Sequence, residues 1–139
     1  MTTAKSLNLK QFISQPQLSV LREACKGEEG SYFRQMVLKL KSHIVCMPRT
    51  YETDGQGDEA IVSLHYFRGG SDWWVIERDM ERTEQIQAFG YVCLNGDVEM
   101  AELGYINIEE LIKYGVELDL YFEPKTLKQV KEQLHKRAT

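Results

Sequence analysis

Residues 65–78, HYFRGGSDWWVIER, decide how this chain folds. Apolar and polar residues alternate on both sides of two adjacent glycines, and a period of two is the pattern of a half-buried β-strand. Gly69 and Gly70 have no side chain and tolerate the positive φ angles that a tight turn requires. The stretch therefore predicts a β-hairpin whose strands carry aromatic side chains.

The register of this hairpin decides which side chains share a face. We predict that Arg68 pairs with Asp72, and that the other pairs follow from this one. One face then carries the apolar residues of the core, namely Val62, Leu64, Tyr66, Trp74 and Ile76. The opposite face carries Ser63, His65, Phe67, Trp73, Val75 and Glu77.

The segment before the hairpin predicts helices. Between Phe33 and Ile44, apolar residues recur three, four and seven positions apart, which is the spacing of one helix face. Pro16 suits the first turn of an earlier helix. Residues 1–47 are therefore expected to be helical, and the polar loop after them leads into a β-rich part, residues 60–139.

The segment after the hairpin predicts three more strands and two helices. Asn95-Gly96 is a strong hairpin signal, because a type I′ turn needs positive φ at both positions. Residues 107–115 read as a short helix, residues 116–122 as a strand, and residues 126–137 as an amphipathic helix. The predicted class is α+β in one domain: N-terminal helices, a mainly antiparallel five-stranded sheet with one inserted short helix, and a C-terminal helix.

Composition narrows the functional classes. The chain has 139 residues, a net charge of -4, 42% hydrophobic and 27% charged residues, as an ordinary globular domain has. An acidic balance disfavours direct binding to nucleic acid and suits solubility, a basic protein partner or imitation of nucleic acid. Three scattered cysteines, no secretion signal and no long apolar run lead us to expect a cytoplasmic protein with no membrane segment.

The hairpin also raises the question of catalysis. Ser63, His65 and Glu77 are predicted on one sheet face, and a serine, a histidine and a carboxylate together suggest a hydrolytic site. A strand offers no oxyanion hole for such a nucleophile, however. Two other interpretations stay open: a half-buried face covered by the N-terminal helices, and an exposed aromatic patch of the kind that protein interfaces use.

Cofactor and metal motifs do not stand out. The glycines match neither a phosphate-binding loop nor a dinucleotide fingerprint. His43, Cys46 and His65 show no metal-ligand spacing, and the acidic loop at residues 52–59 lacks the ligand register of a calcium loop. We therefore expect no cofactor, no metal and no assigned catalytic residue.

Several segments of the β-rich part resemble a family. They are the strand from Trp73 or Trp74 to Glu77 or Arg78, the Ala88-Phe89-Gly90 strand, Glu102 through Leu111, and Glu117 to Pro124. Together they resemble a family of small uncharacterised proteins carried on bacterial plasmids and phages, over residues 47–128. The resemblance implies a mobile-element setting and brings no catalytic residues.

The functional hypothesis is a non-enzymatic accessory protein that binds another protein. The implied setting suggests an inhibitor of host defence, of the anti-CRISPR or antirestriction type, with a nuclease or CRISPR subunit as partner. The expected binding surface consists of His65, Phe67, Arg68, Trp73, Glu77, Glu117 and Asp119. The alternative is a small hydrolase or nucleotide-modifying enzyme that uses His65 and Glu77. Both a monomer and a homodimer remain open.

Overall fold

A computed structural model describes residues 8–81 and 84–138, and it confirms the predicted α+β class. In these residues the helices are α1 (Gln15–Lys26), α2 (Gly30–Cys46), α3 (Ile108–Lys113) and α4 (Leu127–Ala138). The strands are β1 (Ile61–Val62), β2 (Leu64–Arg68), β3 (Ser71–Glu77), β4 (Ala88–Cys93), β5 (Glu102–Ile106), β6 (Glu117–Leu118) and β7 (Lys125–Thr126). No helix in the described ranges is long and apolar enough to cross a membrane.

Five of the strands form one antiparallel sheet. Their order is β5-β4-β3-β2-β6, so β3 is the central strand and its hairpin partner β2 lies beside it. The short strands β1 and β7 pair separately in a two-stranded sheet, which the sequence pattern did not predict. Because β7 leads directly into α4, this second pairing fixes where the C-terminal helix begins.

Helices cover both faces of the large sheet. On one face, α1 and α2 pack against β2 and β3 in a cluster that includes Phe12, Leu18, Leu21, Leu40, Ile44, Leu64, Tyr66 and Val75. On the other face, α4 packs in a cluster that includes Trp74, Ile76, Tyr91, Leu127, Val130 and Leu134. Each fully buried apolar side chain contributes about 1.5–3 kcal/mol, so these two layers supply most of the stability.

The predicted register of the central hairpin is wrong by one residue. The observed pairs are Leu64–Val75, His65–Trp74, Tyr66–Trp73, Phe67–Asp72 and Arg68–Ser71. Gly69 and Gly70 alone form the turn, with Gly69 at φ 57°. Since side chains alternate between faces, a shift of one residue moves a whole strand's side chains across the sheet. Trp74 and Ile76 therefore pack with α4, whereas Trp73 packs half-buried with α1 and α2.

The predicted strand at residues 116–122 is much shorter in the structure. After β6 the chain turns, and the Tyr121 N–H donates to Asp119 Oδ1 at 3.0 Å. The turn sends Leu120 to the cluster of α1 and α2 and Phe122 to the cluster of α4. In the continuous strand predicted at residues 116–122 these two side chains would share one face, and the turn separates them.

Candidate functional site

His65, in β2, lies between two carboxylates. Its Nε2 is 2.7 Å from Asp72 Oδ1, and its Nδ1 is 3.0 Å from Asp119 Oδ2. Its ring stacks on Trp74, with the ring centroids 5.2 Å apart and the planes at 10°. Because an ionised carboxylate only accepts hydrogen bonds, both contacts are satisfied when both ring nitrogens carry a proton.

Asp72 joins this histidine to the C-terminal helix. Its Oδ2 accepts a hydrogen bond from Arg137 Nη2 at 2.7 Å. Burial raises the pKa of Asp72, but the hydrogen bonds from His65 and Arg137 outweigh burial and hold the pKa below its usual range. Asp72 is therefore ionised at neutral pH. We call His65, Asp72, Asp119 and Arg137 the histidine cluster, and it fastens α4 to the sheet.

The histidine cluster borders a cavity of about 370 Å³. A general base needs a nitrogen that can take a proton from a reacting group. Both nitrogens of His65 are already engaged by Asp72 and Asp119. The contacts of His65 therefore stabilise the fold and leave neither ring nitrogen available as a base. The cavity beside it is large enough for a few water molecules.

Glu77 is buried and holds a loop in place. Its Oε1 accepts from the Tyr51 N–H at 2.7 Å, and its Oε2 accepts from the Thr53 N–H at 2.9 Å and from the Thr53 hydroxyl. Tyr51 has a φ of 78°, an unfavourable angle for a residue with a side chain. The two hydrogen bonds of the Glu77 carboxylate to backbone N–H groups stabilise this strained segment.

The hydrolytic arrangement considered from the sequence does not form. His65 contacts Asp72 and Asp119 instead of Glu77. Ser63 precedes β2, and its backbone N–H donates to the Val75 carbonyl at 2.9 Å. The β-bulge between Val75 and Glu77 shifts the end of β3, so Glu77 lies opposite Phe89 in β4 rather than beside His65.

The predicted binding surface is also not one continuous face. Its predicted members are His65, Phe67, Arg68, Trp73, Glu77, Glu117 and Asp119. Glu77 is 2% exposed and was wrongly placed at the surface, because its carboxylate turns inward to the 51–53 loop. Trp73 lies on the opposite face from His65, and Asp119 is bound to His65. Arg68 and Glu117 remain exposed, and Phe67 is half-buried.

The cysteines and histidines do not assemble into a metal centre. Among the residues that the structure describes, no group of three His, Cys, Asp or Glu side chains is placed to hold a metal ion. Burial raises the pKa of the Cys93 thiol, which disfavours the thiolate that a nucleophile or ligand requires. Cys46 is exposed and Cys25 is half-buried.

A concave surface lies between α1 and α2. The two helices form a hairpin whose connection is tight: a Cβ on Gly30 would lie 2.3 Å from the Cys25 carbonyl oxygen. A groove of about 1080 Å³ opens between the helices. We call it the α1–α2 groove, and its apolar residues include Leu9, Leu18, Leu21, Val37, Leu38 and Ile44.

Helical spacing explains why both helices turn apolar residues to the groove. In α1, Leu18, Leu21 and Cys25 are three and four positions apart, so they lie on one side. In α2, Val37 and Ile44 are seven positions apart, as are Leu38 and Val45, so each pair lies two turns apart on the side that faces the groove. Leu38 is 66% exposed, although it is apolar. The floor of the groove is therefore continuous with the core, while its wall is open to solvent.

The rim of the α1–α2 groove is cationic. The charged residues that line it are Lys10, Arg22, Lys26, Arg34 and Lys41, and among the lining residues of the described chain there is no carboxylate. Arg34 Nη1 donates to the Cys25 carbonyl oxygen at 2.6 Å, and Lys26 lies 3.7 Å from the exposed Glu23. The side chains of Lys10, Arg22 and Lys41 make no hydrogen bond or ion pair with any described residue.

Sequence reasoning did not identify this groove, although the sequence contains a signal. Residues 1–47 have seven lysine and arginine residues but three glutamates, a net +4 in a chain of net charge -4. An opposite charge on two parts of one chain is a reason to look for a binding surface. The whole-chain charge concealed this basic segment.

Comparison of the chain with known proteins found no matching family model, no matching curated protein and no matching solved structure. The resemblance to plasmid- and phage-borne proteins stays a prediction.

Proposed function

We propose that this protein acts by binding another protein and that the α1–α2 groove is the contact surface. The observation that carries the proposal is the composition of the groove, an apolar floor bordered by five cationic residues. Apolar surface that remains in water is unfavourable, and a contiguous patch with a charged border is typical of interaction sites.

A non-enzymatic function is further supported by how the reactive side chains are used. The histidine cluster ties α4 to the sheet, and Glu77 ties the 51–53 loop to β3. Each group that could serve as a general acid or base there already has hydrogen-bond partners. An enzyme that used His65 and Glu77 would have to break these contacts before reaction.

The implied mobile-element setting indicates which partners should be tested first. Proteins of that setting gain from blocking host defence, so a subunit of a defence nuclease or of a CRISPR complex is the first candidate. The groove could bind such a subunit without any contact to nucleic acid. This partner class is part of the proposal and depends on the resemblance described above.

Site-specific photo-crosslinking tests the proposal. The photo-reactive residue p-benzoyl-phenylalanine replaces Leu38, which lines the groove, or Val20, which is 71% exposed and does not line it. Both side chains are exposed, so neither replacement should disturb folding. After irradiation in cells that naturally contain the protein, we expect a discrete protein adduct from position 38 and none from position 20.

Two results would contradict the proposal. Adducts of equal yield from both positions would show that the partner does not prefer the groove over other exposed surface. The absence of any adduct from position 38, with the labelled protein folded and abundant, would remove the groove as a contact surface.

A further inference from the structure

The shape of the α1–α2 groove selects the secondary structure of its occupant. Both walls are helices, whose interior backbone N–H and C=O groups are already bonded within each helix. The groove therefore offers side chains but few backbone partners. An extended peptide would leave its own backbone groups unpaired at such a surface, whereas a helix satisfies them internally.

The charges around the groove select the character of that helix. Lys10, Arg22 and Lys41 border an apolar floor and have no ionic partner in the described residues. Carboxylates that flank an apolar stripe would meet these cations as the stripe covers the floor. A basic helix would meet like charges on the same border.

Other anionic partners fit the groove less well. Single-stranded nucleic acid uses aromatic side chains as stacking platforms. The groove residues that the structure describes include no phenylalanine, tyrosine or tryptophan. The floor also lies between two rims rather than on a convex face, so it fits a rod-shaped occupant better than a flat lipid surface.

We infer that the occupant of the α1–α2 groove is an acidic amphipathic helix of the partner protein. Its apolar residues, spaced three and four apart, would cover Val37, Leu38 and Val45, the apolar lining residues that are open or partly open to solvent. Its flanking glutamates or aspartates would pair with Arg22 and Lys41. This inference rests on the proposed function and specifies the partner's chemistry.

Selection from a peptide library tests this inference. The probe is a display library of helical peptides about four turns long, with leucine fixed at positions three and four apart. The flanking positions encode glutamate, glutamine and lysine in equal proportions. The library is selected on the full-length protein. We expect glutamate to be enriched over lysine by at least about fivefold at the flanking positions.

Charge reversal on the protein supplies the internal control. In the double variant Arg22→Glu, Lys41→Glu, the selected flanking residue should change from glutamate to lysine. The matched double variant Lys113→Glu, Lys128→Glu has the same change in net charge at exposed positions outside the groove. It should still select glutamate. Circular dichroism would establish that both variants are folded.

The outcomes separate this inference from the proposed function. A partner adduct at position 38 with no preference for glutamate would overturn the acidic helix and leave protein binding in place. A change from glutamate to lysine in the peptides selected by the matched control would also overturn the acidic helix. Binding to phosphatidylglycerol vesicles without peptide selection, or an adduct between two copies of this chain, would overturn the inference in favour of a lipid or a homodimer.

Discussion

His65, Asp72 and Glu77 are polar residues of the interior whose hydrogen bonds join separate segments of the chain. His65 and Asp72 connect the hairpin to the 119–121 turn and to α4, and Glu77 connects β3 to the 51–53 loop. A buried polar group that loses its partner costs about 1–3 kcal/mol. Substitutions at these residues should therefore change stability first.

The contribution of Asp72 to the free energy of unfolding should depend on pH. We predict that Asp72→Asn lowers the free energy of unfolding by about 1–3 kcal/mol at neutral pH, because hydrogen bonds between charged groups are lost. The pKa of Asp72 is lowered in the folded protein, and in an unfolded chain it is about 3.9. The stabilisation is therefore complete above about pH 4 and is lost as the pH falls through the folded pKa.

Urea unfolding of the wild type and Asp72→Asn, measured from pH 7 to pH 3, checks this prediction. The difference in unfolding free energy should narrow on acidification. A difference that stays constant or widens would show that the ionised form of Asp72 does not stabilise the fold.

Gly90 and Gly104, which face each other across β4 and β5, give a matched pair of substitutions. A Cβ on Gly90 would lie 2.0 Å from the Trp74 carbonyl oxygen, whereas a Cβ on Gly104 would meet nothing within 4 Å. Gly90→Ala should lose about 3 kcal/mol or more, or fail to fold, since backbone must move. Gly104→Ala should change stability by less than about 1 kcal/mol. Thermal unfolding of both variants tests this, and equal losses would contradict the close approach.

Among the elements, those with a long periodic pattern were predicted well. The sequence identified α1, α2, α4 and the central hairpin, because helical and strand periodicities extend over many residues there. It missed the pairing of β1 with β7, since two-residue strands carry no periodicity. The sequence also predicted too long a strand at β6, because apolar and polar residues alternate over residues 116–122. In the structure the chain turns at Asp119. Local patterns cannot show where a tertiary contact ends a strand.

The candidate site was harder to predict than the elements. The hairpin turn could close with two or three residues, and this choice alone decides whether Trp73 or Trp74 lies beside His65. Arg137, which completes the histidine cluster, is distant in sequence from Asp72. The α1–α2 groove depends on how two helices pack, which charge patterning only suggests. The contact of Arg137 and the packing of the two helices are tertiary features, which local sequence patterns do not specify.

The register of the hairpin predicts unequal effects of its two tryptophans. Trp74 is 6% exposed and stacks on His65, so Trp74→Ala should lower the unfolding free energy by about 3–5 kcal/mol. Trp73 is half-buried, so Trp73→Ala should lower it by about 1–3 kcal/mol. Urea unfolding at pH 7 measures both. A larger loss for Trp73 would contradict the observed register.

The protein uses polar residues in two separate places, inside the β-rich part and around the α1–α2 groove. His65, Asp72 and Glu77 of the β-rich part are used inside the fold, where they join the sheet to its loops and to α4. Arg22, Lys26, Arg34 and Lys41 of α1 and α2 lie outside, around an apolar groove. The α1–α2 groove is the proposed partner-binding surface, whereas the histidine cluster joins α4 to the sheet.

Partner recovery by two variants, compared side by side, tests whether the groove binds the partner and the histidine cluster only stabilises the fold. Leu38→Glu should keep its unfolding free energy within about 0.5 kcal/mol, as an exposed substitution does, yet it should lose the partner that co-purifies with the wild type. His65→Gln should lose about 1–3 kcal/mol of stability and still recover the partner in full at a temperature where it is folded. Loss of the partner from His65→Gln, with full recovery by Leu38→Glu, would show that the partner binds near the histidine cluster and not in the groove.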